Sequence, residues 1–572
     1  MKNLEIARIF NNIADLLEIK GENRFKIRAY RRAAQNLESI AEDLAIISNR
    51  GELKEIPGIG KDLSKKIEEY IQTGFMAYFE ELKEEIPESV LDMMVISGVG
   101  PKKAKLFHDT LGITSIDELE KTARSHRLKD LPGIKEKTEE NILRGIALYR
   151  QGLERMTLGY AYALSKRVTD QLREIPGVEQ IDSAGSLRRR RETIGDVDIL
   201  VSSSSPHEVM EAFVNLPDVM EVLGKGTTKS SVLTQEGYQM DLRVVQRDQY
   251  GSALAYFTGS KAHNIRIREM AVRNGLKISE YGVFNEKSGK RIAGEKEEDI
   301  YSLLRLPFIP PELREDRGEI EAALNSVLPD LIRRKDIRAD LHIHSNYSDG
   351  AHSVREIAEE ATKMGYEYVA ITDHSQSLGI AGGMSIDNLM VKIEEIKKVN
   401  HELSGIRILS GTEVDIRIDG TLDYPDEVLS KLDVVIASIH SGFKRSSEEQ
   451  TERIINAMKN PHVHIIGHLT GRLLGERDGY ELNLDQILRT AAETGTAIEI
   501  NAYPQRLDLN DIGCRLAKDI GAKVVIGSDS HVLSQLDFME FGLSVARRGW
   551  LEKKDVLNTL DVESFLNAIK KK

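Results

Sequence analysis

Three aspartates stand at spacings that suit metal-assisted chemistry on a phosphate. Asp196 and Asp198 lie one residue apart in "GDVDILV", where the period of two of a β-strand puts both carboxylates on one face. Asp241 in "YQMDLRVV" stands opposite the apolar face of a second run, so a neighbouring strand could supply a third carboxylate. Three such groups suit two Mg²⁺ ions that clamp an in-line phosphoryl displacement. Taken alone, Asp196 and Asp198 are better explained by solvated aspartates at a strand end.

The stretch before these aspartates, "GSLRRRRETIG", could bind an anion. Gly185 and Ser186 stand where a turn between a strand and a helix presents backbone N–H and hydroxyl donors. An arginine from the run that follows could neutralise a triphosphate held there. The anion and cation sites would then be neighbours, although the stretch alone would be interpreted as a charged loop.

A second group of candidate ligands lies in the C-terminal part of the chain, where ten of the fourteen histidines follow residue 340. His342 and His344 share a strand face in "DLHIHS" and can converge on one metal. With residues at the ends of other apolar runs they make nine candidate ligands: His342, His344, Asp349, His374, Glu413, His440, His468, Asp529 and His531. Imidazole and carboxylate donors without sulfur suit Mn²⁺, Zn²⁺ or Fe²⁺, which make bound water attack a phosphoester. Arg472 and Arg506 also follow strand ends and could bind phosphate, although we interpret both as surface arginines.

Alternating strands and helices must position these ligands. After residue 337, β-α units ending in polar residues recur, as in "YVAITDHS" and "KVVIGSDSH", which predicts a β/α barrel with its site at the strand C-termini. Before it, a helix over 158–174 precedes short runs that predict strands of an α/β or α+β unit. These runs are "DVDILVSS", "YQMDLRVV" and "AYFTGS".

An internal repeat marks residues 1–150. Its copies are "IPGIGKDLSKKI" at 56–67, "ISGVGPKKAKLF" at 96–107 and "LPGIKEKTEENI" at 131–142, where Lys135 replaces the second glycine. A tight turn directly before a helix leaves backbone N–H groups free, and lysines close behind complete a phosphate cradle. The two stronger cradles contain Gly58, Gly60, Gly98, Gly100, Lys102 and Lys103.

Size and composition limit the class of protein. A chain of 572 residues exceeds the size of one core, about 250–300 residues, so three or four domains are expected. No run reaches the roughly 18 apolar residues of a membrane helix. The single cysteine, Cys514, cannot form an internal disulfide or a cysteine zinc site, which favours the cytoplasm. The net charge of −13 argues against nonspecific coating of nucleic acid, although local basic patches can bind phosphate.

Together, "GSLRRRRETIGDVD", "MDLRVV" and "YFTGSKAHN" resemble the palm and nucleotide site of family X DNA polymerases of the polymerase beta type. The resemblance extends over about 1–316. It implies that the catalytic metal ligands are Asp196, Asp198 and Asp241, with Asp241 as base for the primer 3′-hydroxyl. The implied nucleotide contacts are Gly185, Ser186 and Arg189 on the triphosphate, Tyr256, Phe257 and Gly259 on sugar and base, and Asn264 on the base edge. Arg268 would lie on the template side.

The repeat copies resemble helix-hairpin-helix motifs, which bind the DNA backbone without reading its sequence. In animal relatives the first such region carries a lysine that forms a Schiff base with an abasic deoxyribose phosphate, and Lys66 falls at the matching place. Asp62 and Phe25 replace a lysine and a histidine of that pattern, which weakens the expected binding of a 5′-phosphate. Lyase activity is therefore not part of our leading interpretation.

The histidine-rich part, about 337–572, resembles the PHP (polymerase and histidinol phosphatase) domain, a distorted seven-stranded β/α barrel. The resemblance implies up to three ions, Mn²⁺ or Zn²⁺, at its C-terminal face, beside Mg²⁺ or Mn²⁺ in the polymerase site. The implied ligand groups are His342, His344, Glu413 and Asp529; then Glu413, His440 and His468; then Asp349, His374 and His531. Glu413 would bridge two ions.

The predicted architecture is multidomain, with a helical helix-hairpin-helix region, an α/β nucleotidyltransferase palm with a thumb-type α+β subdomain, and a distorted (β/α)7 barrel. The expected domains are a lyase-like helical domain (1–85), a fingers-type DNA-binding domain with two motif copies (86–152), the palm (153–248), a nucleotide- and template-binding subdomain (249–317), a linker (318–336) and a PHP phosphoesterase domain (337–572).

The leading interpretation is a bacterial or archaeal family X DNA polymerase that fills short gaps in base excision repair, with a 3′-5′ exonuclease, 3′-phosphatase or abasic-site endonuclease in its barrel. Expected partners are gapped or nicked duplex DNA and dNTPs, with no membrane, for a cytoplasmic monomer. Three alternatives remain open: a non-templated nucleotidyltransferase, a DNA-damage scaffold with a structural barrel, and a small-metabolite phosphatase. The repeat copies count against the non-templated nucleotidyltransferase, and the complete ligand sets count against the scaffold. The fusion of the two parts counts against the small-metabolite phosphatase.

Overall fold

A computed structural model describes residues 2–38, 44–56, 58–96, 99–150 and 155–571. The chain divides into two compact units, 1–154 and 155–572. Across the described ranges, no helix is both long and apolar enough to cross a bilayer.

The N-terminal unit is helical. Its described residues form α1 (Lys2–Lys20), α2 (Arg24–Glu38), α3 (Leu44–Asn49), α4 (Lys61–Thr73), α5 (Ala77–Glu85), α6 (Glu88–Asp92), α7 (Pro101–Leu111), α8 (Ile116–Arg124) and α9 (Glu136–Arg150), with 3₁₀ turns at Leu53–Glu55, Met93–Val95 and Leu128–Asp130. Apolar side chains of both predicted helical domains, such as Phe10 and Phe107, share one buried core. The expected helical region is confirmed.

The second unit begins with the predicted palm and its α+β subdomain. Its strands are β1 (Met156–Thr157), β2 (Val178–Ser183), β3 (Thr193–Ile194), β4 (Asp196–Ser203), β5 (Val219–Lys225), β6 (Lys229–Thr234), β7 (Gln239–Val245), β8 (Leu276–Ser279), β9 (Gly282–Asn285) and β10 (Arg291–Ala293). Its helices are α10 (Leu158–Arg173), α11 (Gly185–Arg188), α12 (Pro206–Val214), α13 (Tyr250–Thr258), α14 (Lys261–Arg273), α15 (Glu297–Leu303) and α16 (Glu319–Leu324), with 3₁₀ turns at Arg247–Gln249 and Pro311–Leu313.

A five-stranded sheet is the centre of this part. Its strand order is β2-β4-β7-β6-β5, and β4 and β7 run parallel while the other neighbours are antiparallel. The strands β8, β9 and β10 form a separate antiparallel sheet, and β1 pairs with β3. This arrangement confirms the expected α/β palm with an α+β subdomain.

One predicted strand is wrong. The run "AYFTGS" does not form a strand, because residues up to Thr258 belong to helix α13. Tyr250, Ala253 and Leu254 recur at helical spacing and pack in a small core against Leu200 of β4. A short apolar run cannot by itself be assigned to a strand or to a buried helix, and here burial on the sheet decided for the helix.

The C-terminal part is a parallel barrel. Its strands, in chain order within the sheet, are β11 (Ala339–Ile343), β12 (Tyr368–Ile371), β13 (Arg407–Asp415), β14 (Val434–Ser438), β15 (Ile465–Ile466), β16 (Ala497–Asn501) and β17 (Val524–Gly527). The barrel nearly closes, because the N–H of Asp529 donates to the carbonyl of His342 at 2.9 Å and the N–H of His344 to that of Ser530 at 2.9 Å. The expected distorted (β/α)7 barrel is confirmed.

Helices surround these strands. They are α17 (Val354–Lys363), α18 (Ile386–Glu402), α19 (Asp426–Leu429), α20 (Ser447–Lys459), α21 (Leu484–Thr494), α22 (Asp511–Ile520), α23 (Met539–Arg548) and α24 (Val562–Ile569), with 3₁₀ turns at Arg334–Asp336, Gly379–Ala381, Leu533–Phe538, Lys553–Asp555 and Leu557–Thr559. Along β11 the period of two directs Leu341 into an apolar core with Phe565 of α24. His342 stands on the opposite face.

The segment 318–336 is packed rather than extended between the two parts of this unit. It contains α16, and Ile320 and Leu331 lie in the same buried core as Trp550, which directly follows α23 and Gly549. Trp550 is the single tryptophan of the chain. Residues 155–317, which we call the polymerase-like part, therefore share an apolar core with the barrel within one compact unit.

Candidate functional site

The three aspartates of the polymerase-like part meet on neighbouring parallel strands. In the register of β4 and β7, Asp198 lies directly opposite Asp241, and Asp196 lies opposite Gln239. Val197 and Ile199 point away from this face and are buried at 0% and 1% exposure. The period of two along β4 therefore separates the carboxylates from the apolar core.

The charges of these carboxylates favour a cation between them. Burial raises the pKa of Asp198 to about 7, and the charges of Asp196 and Asp241 add to this effect. Burial also raises the pKa of Asp196. For Asp241 burial raises the pKa, but hydrogen bonds from Lys229, Ser231 and Gln239 outweigh it, so the pKa lies below its ordinary value. Repelling carboxylates of this kind fit divalent cations with oxygen ligands.

Gly185 brings the predicted phosphate loop, residues 185–195, against the carboxylates. Its φ is +59°, and a Cβ at this position would lie 2.2 Å from Oδ2 of Asp198. The N–H of Ala184 donates to the carbonyl of Asp198 at 2.8 Å. Ser186 follows in α11, half-buried. The predicted anion and cation sites are thus in direct contact.

Each arginine after Ser186 has a specific partner. Arg189 donates from Nε to Glu315 at 3.0 Å and from Nη1 to the carbonyl of Thr258 at 2.9 Å. The neighbouring arginines, to which the sequence assigned no role, have the following partners: Arg188 donates twice to Glu297 at 2.8 Å, Arg190 lies 4.8 Å from the centre of the Tyr162 ring, and Arg191 lies 3.7 Å from Glu315. Three of the four arginines are therefore held by carboxylates and one by an aromatic ring, so the run is not a solvated loop.

The predicted nucleotide-binding residues lie at the end of α13 and in α14. Tyr256 and Phe257 contact each other edge to face, with ring centres 5.2 Å apart. Asn264 donates through Nδ2 to the carbonyls of Tyr256 at 2.7 Å and of Gly259 at 3.0 Å, which fixes the turn between the two helices. Arg268 lies 5.9 Å from the centre of the Tyr256 ring. Tyr256, Asn264 and Arg268 line one cleft, whereas Phe257 and Gly259 do not. Their roles toward a nucleotide stay predictions.

Glu413 is the centre of the barrel site. Its Oε2 lies 2.8 Å from Nδ1 of His374, and its Oε1 lies 2.8 Å from Nε2 of His468 and 3.3 Å from Nε2 of His440. Glu413 is 1% exposed. A carboxylate with three imidazole nitrogens within 3.3 Å, at the strand C-termini, can share a metal ion with them, and its bridging role stays a prediction.

The other ligands surround this centre. Asp529 Oδ1 lies 3.2 Å from Nε2 of His344 and 3.7 Å from Nε2 of His342. Asp349 Oδ2 lies 3.3 Å from Nε2 of His531 and 3.6 Å from Nε2 of His374. Three groups of close donor atoms result: His344, Asp349, His374 and His531; His342, His344 and Asp529; and His374, Glu413 and His440. All nine candidates therefore gather at one end of the barrel, while their division among ions stays a prediction.

The donor set fits metal ions. Nδ1 of His344 and of His468 is buried without a hydrogen-bond partner among the described residues. Burial lowers the pKa of His344 to about 4, which leaves its imidazole neutral and able to coordinate. Burial also lowers the pKa of His374, but the charges of Glu413 and Asp349 raise it to about 10. Imidazole nitrogens without a hydrogen-bond partner, close to several carboxylates, are typical of a metal-binding site.

Further acidic residues orient these ligands, and the sequence analysis missed them. Glu499 Oε1 lies 2.5 Å from Nδ1 of His342, and its Oε2 accepts the N–H of His468 at 2.8 Å. Asp415 Oδ1 lies 2.5 Å from Nδ1 of His440. Such carboxylates fix the tautomer and direction of a coordinating imidazole. Asp415 follows Glu413 by two residues on β13, and Glu499 stands near the end of β16, so strand-end position could have indicated both.

The interpretation of Arg472 and Arg506 as surface arginines is wrong. Arg472 donates two hydrogen bonds, at 3.1 and 2.7 Å, to Glu192 of the polymerase-like part, and its side chain is 13% exposed. Arg506 Nε lies 3.5 Å from Oδ2 of Asp529. The partner of Arg472 lies far away in sequence, so no local pattern could reveal it.

The predicted DNA-binding residues of the N-terminal unit lie around the starts of α4 and α7. Gly58 has φ +81°, a conformation that favours glycine, and Gly60 and Gly100 directly precede the two helices without side-chain caps. Lys102 and Lys103 lie in the first turn of α7, and Gly98 lies outside the described residues. Lys66 Nζ is 2.7 Å from Asp62 Oδ2 and 5.0 Å from the Tyr78 ring centre. Its lyase role stays a prediction.

Comparisons with known proteins match segments of both compact units. Family profiles match as follows: a helix-hairpin-helix domain over 1–76, a SAM-like helix-hairpin-helix tandem over 90–147, the DNA polymerase beta thumb over 253–315 and the PHP domain over 340–503. A probable phosphatase of Thermoanaerobacter sp. (strain X514) is 36% identical over 245 residues, 41% of this chain and 94% of that protein. A probable phosphatase of Acetivibrio thermocellus is 35% identical over 245 residues, 41% of this chain and 95% of that protein.

A longer relative spans both parts. The DNA polymerase/3′-5′ exonuclease PolX of Bacillus subtilis (strain 168) is 40% identical over 571 residues, 99% of this chain and 99% of that protein. The resemblance to family X polymerases with a PHP domain is thereby confirmed. Because a relative of this identity matches the chain from end to end, the chain belongs to the PolX family of DNA polymerases with a C-terminal PHP domain.

Proposed function

We propose that this chain is a DNA-directed DNA polymerase that fills short gaps during base excision repair and that its barrel removes nucleotides from 3′ ends. The observation that carries the proposal is the contact between the Gly185 loop and Asp198, directly opposite Asp241. A site for a triphosphate beside a site for divalent cations is what nucleotidyl transfer requires.

In the polymerase site the chain's own residues have distinct tasks. Asp196 and Asp198 hold Mg²⁺ or Mn²⁺, and Asp241 accepts the proton of the primer 3′-hydroxyl, whose oxygen attacks the α-phosphorus while pyrophosphate leaves. When bound, the ions lower the pKa of the attacking hydroxyl and neutralise charge on the leaving group. The depressed pKa of Asp241 keeps this carboxylate ionised near neutral pH.

Nucleotide and DNA are held by the residues around this centre. Gly185, Ser186 and Arg189 contact the triphosphate, Tyr256, Phe257 and Gly259 contact sugar and base, Asn264 contacts the base edge, and Arg268 lies toward the template. The glycine turns before α4 and α7 bind the DNA backbone together with Lys102 and Lys103 in the first turn of α7. Because helix N-termini offer backbone N–H donors to phosphate, these contacts need no base reading.

In the barrel, the nine ligands would hold up to three ions, Mn²⁺ or Zn²⁺. When bound, such ions would lower the pKa of a water molecule and so supply the nucleophile that hydrolysis of a phosphodiester needs. Glu413 would be the shared ligand, and Glu499 and Asp415 would hold His342 and His440 in the tautomers that leave Nε2 for coordination. The outcome is release of the 3′-terminal nucleotide.

A second candidate activity of the barrel is removal of a 3′-phosphate. It is favoured by relatives that match this part of the chain over nearly their whole length, of which the two described above are named probable phosphatases. Hydrolysis of a monoester uses the same attacking hydroxide as hydrolysis of a diester. Cleavage at abasic sites would use this chemistry too.

The proposal includes the domain organisation 1–85, 86–152, 153–248, 249–317, 318–336 and 337–572, and a monomeric enzyme acting on dNTPs and gapped DNA in the cytoplasm. The two separate sites support a monomer, because each is complete within one chain.

The proposal is tested with the full chain, Asp241→Ala and His440→Ala on a labelled duplex with a one-nucleotide gap. The substrate is incubated with Mg²⁺ or Mn²⁺, with and without dNTPs, and a matched substrate carries a 3′-phosphate. We expect Asp241→Ala to lose gap filling and keep 3′-end degradation, and His440→Ala to do the converse. Loss of both activities in either variant would contradict two independent sites.

A further inference from the structure

We propose that Arg548, which belongs to the barrel, is a positioning residue for Arg189 in the polymerase site. The inference rests on the proposed function, in which Arg189 binds the triphosphate. It deepens that function by making the barrel a structural part of the nucleotide site.

The contact between the two arginines is direct. Arg548, the last residue of α23, donates from Nη1 to the backbone carbonyl of Arg189 at 2.8 Å. The same Nη1 donates to Oε1 of Glu315 at 3.0 Å, and this oxygen also accepts from Nε of Arg189 at 3.0 Å. Arg548 thus holds Arg189 at its backbone and also through the carboxylate that binds its side chain.

A second carboxylate anchors Arg548 from the barrel side. Asp511, at the start of α22, accepts from Nε of Arg548 at 3.0 Å and from its Nη2 at 2.7 Å. Asp511 also accepts from Nη1 of Arg317 at 3.0 Å. The side chain of Arg548 is 5% exposed, so it cannot leave these partners without exposing buried charges. An arginine held at three points by short hydrogen bonds is well suited to fix a neighbouring backbone.

The cluster carries more positive than negative charge. Glu315 and Asp511 face four arginines, namely Arg189, Arg191, Arg317 and Arg548. Burial raises the pKa of Glu315, but these arginines, Arg548 first, lower it to about 2, so the carboxylate stays ionised. Arg189 uses Nε and Nη1 in its bonds, which leaves Nη2 without a hydrogen-bond partner among the described residues. Excess positive charge with a spare donor is the arrangement that a polyanion needs.

Arg548 also limits how strongly Glu315 holds Arg189. Because Glu315 Oε1 divides its charge between the two arginines, removal of Arg548 would leave this carboxylate oxygen to Arg189 alone. The Arg189 guanidinium would then bind Glu315 more strongly, and Glu315 would compete with the triphosphate for it. Loss of the bond to the Arg189 carbonyl would release the loop at the same time. Both effects weaken binding of phosphate.

A neighbouring residue separates this role from general docking of the barrel. Arg547 lies beside Arg548 on α23 and also bonds to the preceding part of the chain, donating to Glu312 at 2.8 Å and to the carbonyl of Ile332 at 2.8 Å. Neither partner belongs to the phosphate loop. Arg547 is therefore a matched control that removes one docking arginine and leaves Arg189 untouched.

The test uses the full chain and compares Arg548→Met, Arg548→Lys and Arg547→Met with the wild type and with Arg189→Met. Gap filling is measured at varied dNTP concentration, and inhibition by inorganic tripolyphosphate is measured in the same assay. For Arg548→Met we expect the KM for dNTP and the inhibition constant for tripolyphosphate to rise together by roughly ten-fold, because this is the effect of losing one charge-assisted hydrogen bond. Arg548→Lys should recover part of this change, and Arg547→Met should show neither rise.

Several outcomes would overturn the inference. They are an unchanged inhibition constant in Arg548→Met, or equal rises in Arg547→Met and Arg548→Met. The 3′-end degradation of each variant reports whether its barrel is folded. If Arg548→Met is not folded, Arg548→Lys and Asp511→Asn test the inference in its place. An unchanged KM for dNTP and an unchanged inhibition constant for tripolyphosphate in both variants would also overturn the inference. Absence of dNTP incorporation by the wild type would instead refute the proposed polymerase, which is a separate result.

Discussion

A methyl group on Gly185 would overlap the carboxylate of Asp198: the Cβ would lie 2.2 Å from Oδ2. The backbone of Gly185 also has φ +59°, where a side chain adds strain. We therefore expect Gly185→Ala to displace Asp198 and lower gap filling by roughly a hundred-fold, the effect of a small misplacement in an active site. The 3′-end degradation by the barrel should be unchanged, and both rates are measured on one gapped duplex.

The matched control for this substitution is Gly289→Ala. Gly289 has a similar φ of +66°, yet nothing lies within 4 Å of the position of its Cβ. Its conversion should cost only about 1 kcal/mol in the free energy of unfolding and leave gap filling intact. Equal losses of activity in the two variants would show that backbone strain, and not the contact with Asp198, is responsible.

Glu499→Gln should impair the barrel alone. Glu499 is 0% exposed and lies 2.5 Å from Nδ1 of His342, and the neutral amide would hold this imidazole less firmly in the tautomer that coordinates through Nε2. Loss of such an orienting carboxylate lowers metal affinity roughly 10- to 100-fold. The expected result is that 3′-end degradation needs correspondingly more Mn²⁺, at unchanged gap filling. Exposed Glu493, changed to Gln, serves as control, and an unaltered Mn²⁺ requirement in Glu499→Gln would argue against the orienting role.

Glu297→Gln should destabilise the second unit in a pH-dependent way. Glu297 accepts two bonds from Arg188 and one from Arg314, which is 0% exposed. Removing one partner of a buried ion pair costs about 3–5 kcal/mol in the free energy of unfolding. Burial raises the pKa of Glu297, but Arg314 and Arg188 lower it from 4.5 to about 2. The stabilisation is therefore complete above about pH 4.5 and is lost as the pH falls towards about 2.

Urea unfolding of the full chain measures this effect. The fluorescence of Trp550 follows the second unit, because Trp550 lies in the core shared by the barrel and the polymerase-like part. The difference between wild type and Glu297→Gln should be largest near neutral pH and shrink as the pH falls below about 4.5. Exposed Glu298, changed to Gln, should differ little from wild type at any pH. A constant difference across this range would mean that the charge of Glu297 is not what stabilises the fold.

The pair of Glu192 and Arg472 should stabilise the contact between the phosphate loop and the barrel. Arg472 Nη1 and Nη2 donate to the two carboxylate oxygens of Glu192, and Arg472 Nε donates to the carbonyl of Arg506 at 2.9 Å. We expect Glu192→Ala and Arg472→Ala to be non-additive in urea unfolding, with a coupling energy of about 0.5–3 kcal/mol. Additive effects would show that the pair contributes nothing measurable.

Much of both sites could be predicted because strand geometry is local. The period of two placed Asp196 and Asp198 on one face, and it did the same for His342 and His344. The alternation of strands and helices indicated a barrel whose ligands gather at the strand ends. The run "AYFTGS" shows the limit of such reasoning, because a short apolar segment carries no periodicity long enough to separate a strand from a helix.

The sequence by itself determined the donor atoms of both candidate sites and the strand faces that carry them, since residue type and backbone period are properties of a short segment. Only the tertiary structure decided that Asp198 lies opposite Asp241, that Glu413 gathers three imidazoles, and that Arg548 and Arg472 of the barrel hold the phosphate loop. The physical reason is that strand register and ion pairing join residues far apart in the chain. A charged residue selects its partner by distance and burial, which no local pattern of residues specifies.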